Sequence, residues 1–402
     1  LKENPEIEIR NVKRFRKVIL PEGAKSVKID PDETLPDGNR PNNATCRPIA
    51  FTWVFDQPQY DKREIFWMPW VFSGNEYNGW SPGLNFYHGF VPGYDYGIGF
   101  RPMWDFNNEK LIGSVSASNT VYGLGSYYMS TFSFDAGRNA GMTGFHIEFE
   151  GKRKEHLEKY PVWTTIFHMD YHDISENAVD PDYYDSGELA TGYAEMELYN
   201  RPNPFLTYYF RSALKTGIVK SRFLRVNLQT NIYYKFTKKL KAKLRIWVGG
   251  FLDSTNIPKQ YFTFLSGNID PDFRNNYLIN RTADINDASV GTRQYDIGGP
   301  SLHGLVINEN GKMLGVDDWV ISANFEMNIP KIPGKPFMDA AIIPGGDSYF
   351  DFGLKKDFGP LSIIIPLYQS WEQTPFVTDT DWILDRLRFS LTLSGFNARS
   401  IF

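Results

Sequence analysis

Apolar and polar residues alternate along much of this chain, and the segment 320–329 shows the pattern most clearly. Its odd positions carry Ile321, Ala323, Phe325, Met327 and Ile329, and its even positions carry Val320, Ser322, Asn324, Glu326 and Asn328. Successive side chains of a β-strand point to opposite faces. The segment is therefore predicted to be a strand with one apolar and one mostly polar face.

The length of these alternating segments indicates the fold class. Strands are predicted at 63–73, 80–90, 94–105, 110–121, 124–136, 142–151, 161–172, 189–200, 204–215, 221–236, 240–252, 318–329, 337–357 (as a pair), 360–368 and 385–395. Soluble sandwiches usually have strands of about five or six residues, whereas about 9 to 11 tilted residues cross a bilayer. We therefore predict an all-β fold, a transmembrane antiparallel up-and-down β-barrel. An even strand number of about 12 to 16 is expected, because the two ends of such a barrel must meet antiparallel.

Composition is consistent with this prediction. Aromatic residues make up 16% of the 402 residues, and barrels place such rings at the two membrane interfaces. The mean hydropathy of −0.39 and the lack of a long apolar run exclude a bundle of transmembrane helices. The net charge of −4, without a basic face, gives no reason to expect nucleic acid as a partner.

Charged positions predict which face of each strand meets lipid. Lys241, Lys243 and Arg245 alternate with apolar residues, and each cation would cost about 2 to 4 kcal/mol on the lipid side near the midplane. The cations are therefore expected in the lumen. In 142–151 the same reasoning turns His146, Glu148 and Glu150 inward, and in 224–234 it turns Arg225, Asn227, Gln229 and Asn231 inward. Since the lumen carries both signs of charge, we expect internal ion pairs to be able to close it without a plug.

The connections between strands predict topology and domain boundaries. Short turns at 106–110 and 236–240 are expected on the periplasmic side, and long loops near 173–188 and 253–317 on the extracellular side. The longer loop could fold over the barrel mouth as a lid. Residues 51–402 are assigned to the barrel, and residues 1–50 to the end of a periplasmic β-rich domain with its linker.

Residues 1–50 differ in character from the rest of the chain. A short hairpin is predicted from 16–20 and 26–29, followed by a polar connector rich in Pro and Asn. The single cysteine, Cys46, excludes an internal disulfide. The residues after Leu1 have neither a basic nor an apolar signal region, so the chain is expected to begin after processing or to be the tail of a longer protein.

Candidate chemistry is sparse, and each candidate has a structural alternative. His168, Asp170 and His172 share one face of a strand and could bind a divalent metal or support acid–base chemistry. Alternate residues of a strand are about 7 Å apart, so one ion would need help from a partner strand. The alternative is an ordinary polar lumen. The acidic stretches 180–188 and 379–385 are spaced like calcium loops but lack the full motif, which favours solvated loops.

The chain contains no His-Glu-x-x-His, Gly-x-Ser-x-Gly or phosphate-loop motif. No catalytic or cofactor-binding residue is therefore assigned. A hydrolase site assembled on the barrel from distant Ser, His and Asp residues stays an alternative.

Two segments carry a resemblance to a known family. The stretch from Val18 to Asp32, followed by Leu35-Pro-Asp-Gly-Asn-Arg40, resembles the closing segment of M1-type (gluzincin) aminopeptidase-like proteins of Bacteroidota-like bacteria. In that family a periplasmic peptidase-like region leads into a C-terminal outer-membrane barrel. Ile65 to Ser73 and Arg386 to Leu393 are similar to the first and last strands of that barrel. The resemblance implies zinc only in a domain preceding Leu1, because the zinc-binding motif is absent here.

These patterns together lead to one functional expectation with three alternatives. We expect a bacterial outer-membrane barrel, embedded in lipid with its N-terminal end periplasmic, that anchors or positions a peptidase-like domain or a partner complex. The alternatives are a pore or transport component, a barrel-embedded hydrolase and a soluble β-rich binding protein.

Overall fold

A computed structural model of the chain describes residues 9–12, 15–18, 23, 49–57, 62–75, 77–88, 96–139, 141–154, 160–269, 271–272, 295, 298–308, 310–359 and 361–391. One large β-sheet dominates these residues. Its strands are β3 (Ile49–Trp53), β4 (Arg63–Asn75), β5 (Gly79–His88), β6 (Tyr96–Asp105), β7 (Lys110–Tyr122), β8 (Met129–Asn139), β9 (Met142–Lys154), β10 (Val162–Ile174), β11 (Gly187–Asn200), β12 (Leu206–Val219), β13 (Arg222–Lys235), β14 (Lys241–Asn256), β17 (Val320–Asn328), β18 (Lys335–Ile342), β19 (Ser348–Phe358), β20 (Leu361–Gln369) and β21 (Arg388–Leu391). The fold is all-β, as the alternation predicts.

The strands follow one another around the sheet in chain order. From β4 to β21 each strand pairs antiparallel with the next, as in an up-and-down meander. β3 differs because it pairs parallel with β4, and the strand order places it next to β21. The described residues thus contribute seventeen strands to this sheet rather than the predicted even number. β3 accounts for the excess, since it lies between the two ends of an alternating series of sixteen.

The two faces of the sheet differ in the way the alternation predicts. On the exterior face Ile246, Leu228 and Ile321 are 42%, 43% and 44% exposed. On the opposite, interior face Arg245 and Ser322 are buried. On these strands the exposed apolar residues point outward and polar residues point inward, and the predicted inward orientation of Arg245 is confirmed.

Smaller elements lie outside the sheet. β1 (Ile9–Val12) and β2 (Phe15–Val18) form a hairpin, and β15 (Thr263–Phe264) pairs with β16 (Gly315–Val316). β2 covers part of the segment 16–20, which was predicted to pair with 26–29; because 26–29 lies outside the described residues, that pairing stays a prediction. Short 3-10 helices cover Glu176–Ala178 and Lys259–Tyr261, and α1 covers Thr380–Arg386.

α1 corrects the last predicted strand. The alternation predicted a strand from residue 385, but α1 extends to Arg386, and β21 starts only at Arg388. The side chain of Asp379 begins the helix by accepting a hydrogen bond from the backbone N–H of Trp382. Among the helices that the structure describes, none has the length and apolar character needed to span a membrane.

The turns at 106–109 and 236–240 connect consecutive strands, as predicted. The long connection between β14 and β17 differs from the prediction of a lid. Its residues 298–308, called here the inner segment, pack against the interior face of the sheet, and Ser301, Leu302 and His303 are almost completely buried. The sequence analysis did not predict this segment, and the expectation that ion pairs could close the interior without a plug stays a prediction.

Candidate functional site

Two neighbouring strands bring four potential ligand residues together on the interior face. In the register of β9 and β10, His146 lies opposite Asp170, and Glu148 lies opposite His168. Side chains directly opposite one another in an antiparallel pair have Cβ atoms about 4.5 to 5.5 Å apart. The four residues form a two-by-two array, with the two imidazoles on one diagonal and the two carboxylates on the other. This array is called the His–Asp cluster below.

Asp170 is the centre of the His–Asp cluster. Its Oδ1 lies 2.7 Å from Nδ1 of His146, and its Oδ2 lies 2.8 Å from Nδ1 of His168. Nε2 of His146 lies 3.5 Å from Oε2 of Glu148. Asp170 is 1% exposed, so its carboxylate is held by imidazoles rather than by water. The ligand atoms of His146, His168 and Asp170 all lie within 4.8 Å of one another.

The structure changes the predicted membership of this cluster. The sequence pattern grouped His168 and Asp170 with His172, whereas the structure places His146 against Asp170 instead. His172 is buried two positions further along β10 and lines the same cavity. The inward orientation of His146 and Glu148 was predictable from the alternation. Their position opposite β10 depends on the register of the two strands.

A cavity of about 360 Å³ adjoins the His–Asp cluster. Its wall comes mainly from the interior faces of β6 to β10, called the cavity wall below, and it includes Arg101, Asp135 and Asp272. Close backbone approach shapes one part of this wall. A Cβ at Gly144 would lie 2.3 Å from the carbonyl oxygen of Tyr171 and 2.9 Å from Nδ1 of His172, so a larger residue there would displace them. The cavity is large enough for several waters or a small polar ligand.

Charged and aromatic groups continue the interior surface beyond the cluster. The ring of Tyr193 lies 4.2 Å from that of His168, centroid to centroid, and Tyr193 donates a hydrogen bond to Glu195. Glu195 also forms an ion pair with Arg211. The ammonium of Lys215 is paired with Asp272, which lines the cavity. The ammonium of Lys215 is therefore already matched by a carboxylate.

The inner segment is held against a different part of the interior face, formed by β14 and β17 to β21 and called the clamped wall below. Arg388, on β21, donates hydrogen bonds to the carbonyl oxygens of Leu302, His303 and Gly304 in the segment. Arg245, on β14, donates to the carbonyl oxygens of Gly299 and Pro300. Two buried arginines thus satisfy five of the six backbone carbonyls from Gly299 to Gly304, which binds the segment through its main chain.

Carboxylates of the clamped wall bind the backbone N–H groups of the same segment. Asp339 accepts a hydrogen bond of 2.7 Å from the N–H of His303, and Asp351 accepts one of 2.6 Å from the N–H of Gly304. A Cβ at Gly304 would lie 2.3 Å from Nε2 of Gln369 and 2.8 Å from Oδ2 of Asp351. Only a residue without a side chain lets the backbone come this close to the wall.

His303 is the one imidazole of the inner segment, and charged groups of three strands surround it. Nδ1 lies 2.8 Å from Asp339, while Nε2 lies 3.5 Å from both Glu326 and Lys355. Its ring stacks on Tyr295, at 4.8 Å between centroids. Burial by itself lowers the pKa of His303, but the charge of Asp339 and hydrogen bonds to Asp339 and Glu326 outweigh it, and the pKa lies above its ordinary value.

The acidic stretches that resemble calcium loops have structural roles. Asp180 accepts a hydrogen bond from the backbone N–H of Asp182, which forms a turn, and Asp182 pairs with Lys312. Asp185 accepts a hydrogen bond of 3.0 Å from the backbone N–H of Lys259. Asp379 caps α1. These contacts agree with the structural interpretation of both stretches.

A serine hydrolase arrangement is not assembled around His303 in the part of the chain that the structure describes. The nearest serine in sequence, Ser301, donates its hydroxyl hydrogen bond to the carbonyl oxygen of Gly298 and accepts one from the N–H of the same residue. The hydroxyl is thus engaged within its own turn. A nucleophilic serine would have to be hydrogen-bonded to the imidazole.

Comparison with known proteins does not place the chain in a family. No family model and no curated protein matches it, so the resemblance to M1-type aminopeptidase-like proteins gains no support. Among solved structures, BamA from Haemophilus ducreyi lacking POTRA domains 1-3 is similar over 84% of this chain and 73% of its own, with 11% identity and a TM-score of 0.39. CdiB from Acinetobacter baumannii is similar over 80% of this chain and 58% of its own, with 12% identity and a TM-score of 0.39.

Proposed function

We propose that this chain is an outer-membrane β-barrel whose lumen is occupied by the inner segment, and that it anchors a periplasmic domain or partner complex at the membrane. The observation that carries the proposal is the division of the sheet into an apolar exterior and a polar interior. Ile147, Phe167 and Met338, on three different strands, are 48%, 51% and 49% exposed. An apolar surface this extensive is stable when it faces lipid.

The sheet topology supports closure into a barrel. An open membrane-embedded sheet would leave edge N–H and C=O groups unsatisfied in lipid, which costs several kcal/mol per group. The strand order brings β3 between β21 and β4. Because β3 runs parallel to β4, it runs antiparallel to β21, the sixteenth strand of the alternating series. In this arrangement β3 joins the two ends of the barrel.

The contacts of the inner segment favour an anchoring role over a permanently open pore. The carbonyls of residues 299, 300, 302, 303 and 304 are bound by Arg245 and Arg388, which extend from the clamped wall. A solute would have to displace this segment to cross the lumen along the clamped wall. We infer that the resting state of the barrel is closed to solutes.

A gated transport or assembly role is the second candidate. The observation that favours it is the 360 Å³ cavity on the other side of the interior. A lumen used only as an anchor would gain from complete packing, whereas a cavity lined by both signs of charge can take up a polar ligand. In this case the inner segment is the gate.

Membrane extraction tests the proposal. The full chain, produced in a Gram-negative host with an export signal, is expected in the outer-membrane fraction, resistant to alkaline carbonate and extracted only by detergent. A folded barrel should also migrate differently on gels before and after boiling. Release by carbonate without detergent would contradict the membrane assignment. A zinc-dependent peptidase activity of the chain alone would contradict a purely anchoring role.

A further inference from the structure

The His–Asp cluster has the donor set of a transition-metal site. Imidazole nitrogens together with one or two carboxylates suit zinc and its neighbours, whereas calcium and magnesium prefer oxygen ligands alone. Here His146 and His168 supply two nitrogens, and Asp170 supplies carboxylate oxygen at the point where the two rings meet. We propose that His146, His168 and Asp170 bind a divalent transition-metal ion, with zinc as the expected occupant.

The positions of the ligand atoms are close to those that such an ion requires. Zinc binds nitrogen and carboxylate oxygen at about 2.0 to 2.2 Å, which places ligand atoms of a tetrahedral site about 3.3 Å apart. The carboxylate of Asp170 lies 2.7 and 2.8 Å from the two Nδ1 atoms. All three ligand atoms lie within 4.8 Å of one another, so side-chain shifts of about 1 Å or less would bring them to the tetrahedral spacing. The hydrogen bonds to Asp170 keep both imidazoles aimed at that space.

The strand pairing explains how alternate residues of a strand can share one ion. His168 and Asp170 are both on β10, and two such residues alone are too far apart in the extended direction. The partner strand β9 contributes His146 directly opposite Asp170. The ligands thus come from a strand pair joined by backbone hydrogen bonds, which is a more rigid support than a loop.

Burial and charge also favour a cation at this position. The side chains of His168 and His146 are 8% and 15% exposed, and that of Asp170 is 1% exposed. With neutral imidazoles the three ligands carry one negative charge. Glu148 lies 3.5 Å from Nε2 of His146 and adds another carboxylate next to the site. The remaining position of the ion would open toward the cavity, where water or a ligand can bind.

The competing explanation is a metal-free network in which Asp170 simply accepts two hydrogen bonds. Both explanations predict that substitution of Asp170 lowers stability, so stability alone does not distinguish them. The two explanations are distinguished by metal binding with a defined stoichiometry, which only the metal site predicts. His172 supplies a matched control, because it is an imidazole on the same strand and in the same cavity but outside the proposed ligand set.

The test is metal titration of the folded full chain in detergent after treatment with a chelator. Zinc should bind with a stoichiometry of one, measured by calorimetry, and cobalt should give the visible absorption of a tetrahedral site. His146→Gln, His168→Gln and Asp170→Asn should each weaken zinc binding at least about tenfold, because loss of even a partner that only orients a ligand costs about 10- to 100-fold in metal affinity. His172→Gln should bind as the native chain does. Gel migration before boiling shows which variants are folded.

Two results would overturn the proposal. The first is the absence of saturable zinc or cobalt binding by the folded native chain. The second is an equal loss of affinity in His172→Gln, which would show that the ligand set is wrong. If Asp170→Asn does not fold, the two histidine variants decide. Membrane extraction is independent of these measurements, so failure of the metal site and failure of the proposed function give different results.

Discussion

The clamped wall and the cavity wall are built from the same alternation but differ in what their interior side chains bind. On the clamped wall Arg388 and Asp339 are used to hold the main chain of the inner segment. On the cavity wall His146 and Asp170 bind one another beside open space. Polar residues that face inward therefore hold the main chain of a segment on the clamped wall, whereas among the described residues of the cavity wall they line a cavity. Strand pattern alone does not distinguish these two cases.

The largest effect on stability is expected from cations placed on the exterior face. It tests whether the outer faces behind the cavity wall and the clamped wall both meet lipid. Ile147, on the outer face of β9 behind the cavity wall, and Met338, on the outer face of β18 behind the clamped wall, are both exposed near the middle of their strands. Ile147→Arg and Met338→Arg should each destabilise the protein in lipid vesicles by about 2 to 4 kcal/mol, since a cation near the midplane is desolvated. Unfolding by denaturant in vesicles measures both. A neutral effect at either position would show that this face does not meet lipid.

The next largest effect on stability is expected from the loss of an arginine of the clamped wall. Arg388→Met should lower the free energy of unfolding by about 2 to 3 kcal/mol, because buried carbonyls of the inner segment lose their donor. Arg222→Met is the control: Arg222 is mostly exposed and pairs with Asp253, so its loss should cost about 1 kcal/mol or less. Equal effects of the two substitutions in denaturant unfolding would contradict the clamping role of Arg388.

A smaller effect is a pH dependence specific to the clamped wall. The pKa of His303 is raised above its ordinary value of about 6.5. Its protonated form is therefore favoured in the folded state, and its contribution to stability is complete below about pH 6.5 and lost as the pH rises through the raised pKa. The difference in unfolding free energy between the native chain and His303→Gln should shrink from pH 6 to pH 9. A difference that grows with pH would contradict this sign.

The smallest effect on the free energy of unfolding is expected from a substitution on the cavity wall. The carboxylate of Glu148 is 27% exposed and lines the cavity. Glu148→Gln should therefore change the free energy of unfolding by no more than about 0.5 kcal/mol. A loss as large as that of Arg388→Met would remove the distinction between the two walls.

Much of the sheet could be predicted from the sequence, because a period of two is a local signal. The strand predicted at 110–121 is β7 (Lys110–Tyr122), and the one predicted at 189–200 is β11 (Gly187–Asn200). β3 was missed because Ile49–Trp53 covers five residues only and follows a polar connector. The helix α1 was missed because its seven residues are too few to establish a helical period.

The interior was less predictable, because it depends on contacts between residues far apart in the chain. The inner segment has no periodicity, and its burial follows from Arg245 and Arg388, about 55 and 85 positions away. The pairing of His146 with Asp170 required the register of β9 and β10, although each side chain was correctly predicted to face inward. The inward orientation of a side chain could thus be predicted residue by residue, whereas the residues that it contacts in the interior could not.

The conductance of planar bilayers tests the central claim most directly, namely a membrane barrel whose lumen is closed by the inner segment. The native chain is compared with a variant in which residues 298–308 are replaced by a Gly-Ser linker of equal length. The native chain should insert and remain almost silent, and the variant should give a steady ohmic current. A steady open current from the native chain, or silence from the inserted variant, would contradict the account.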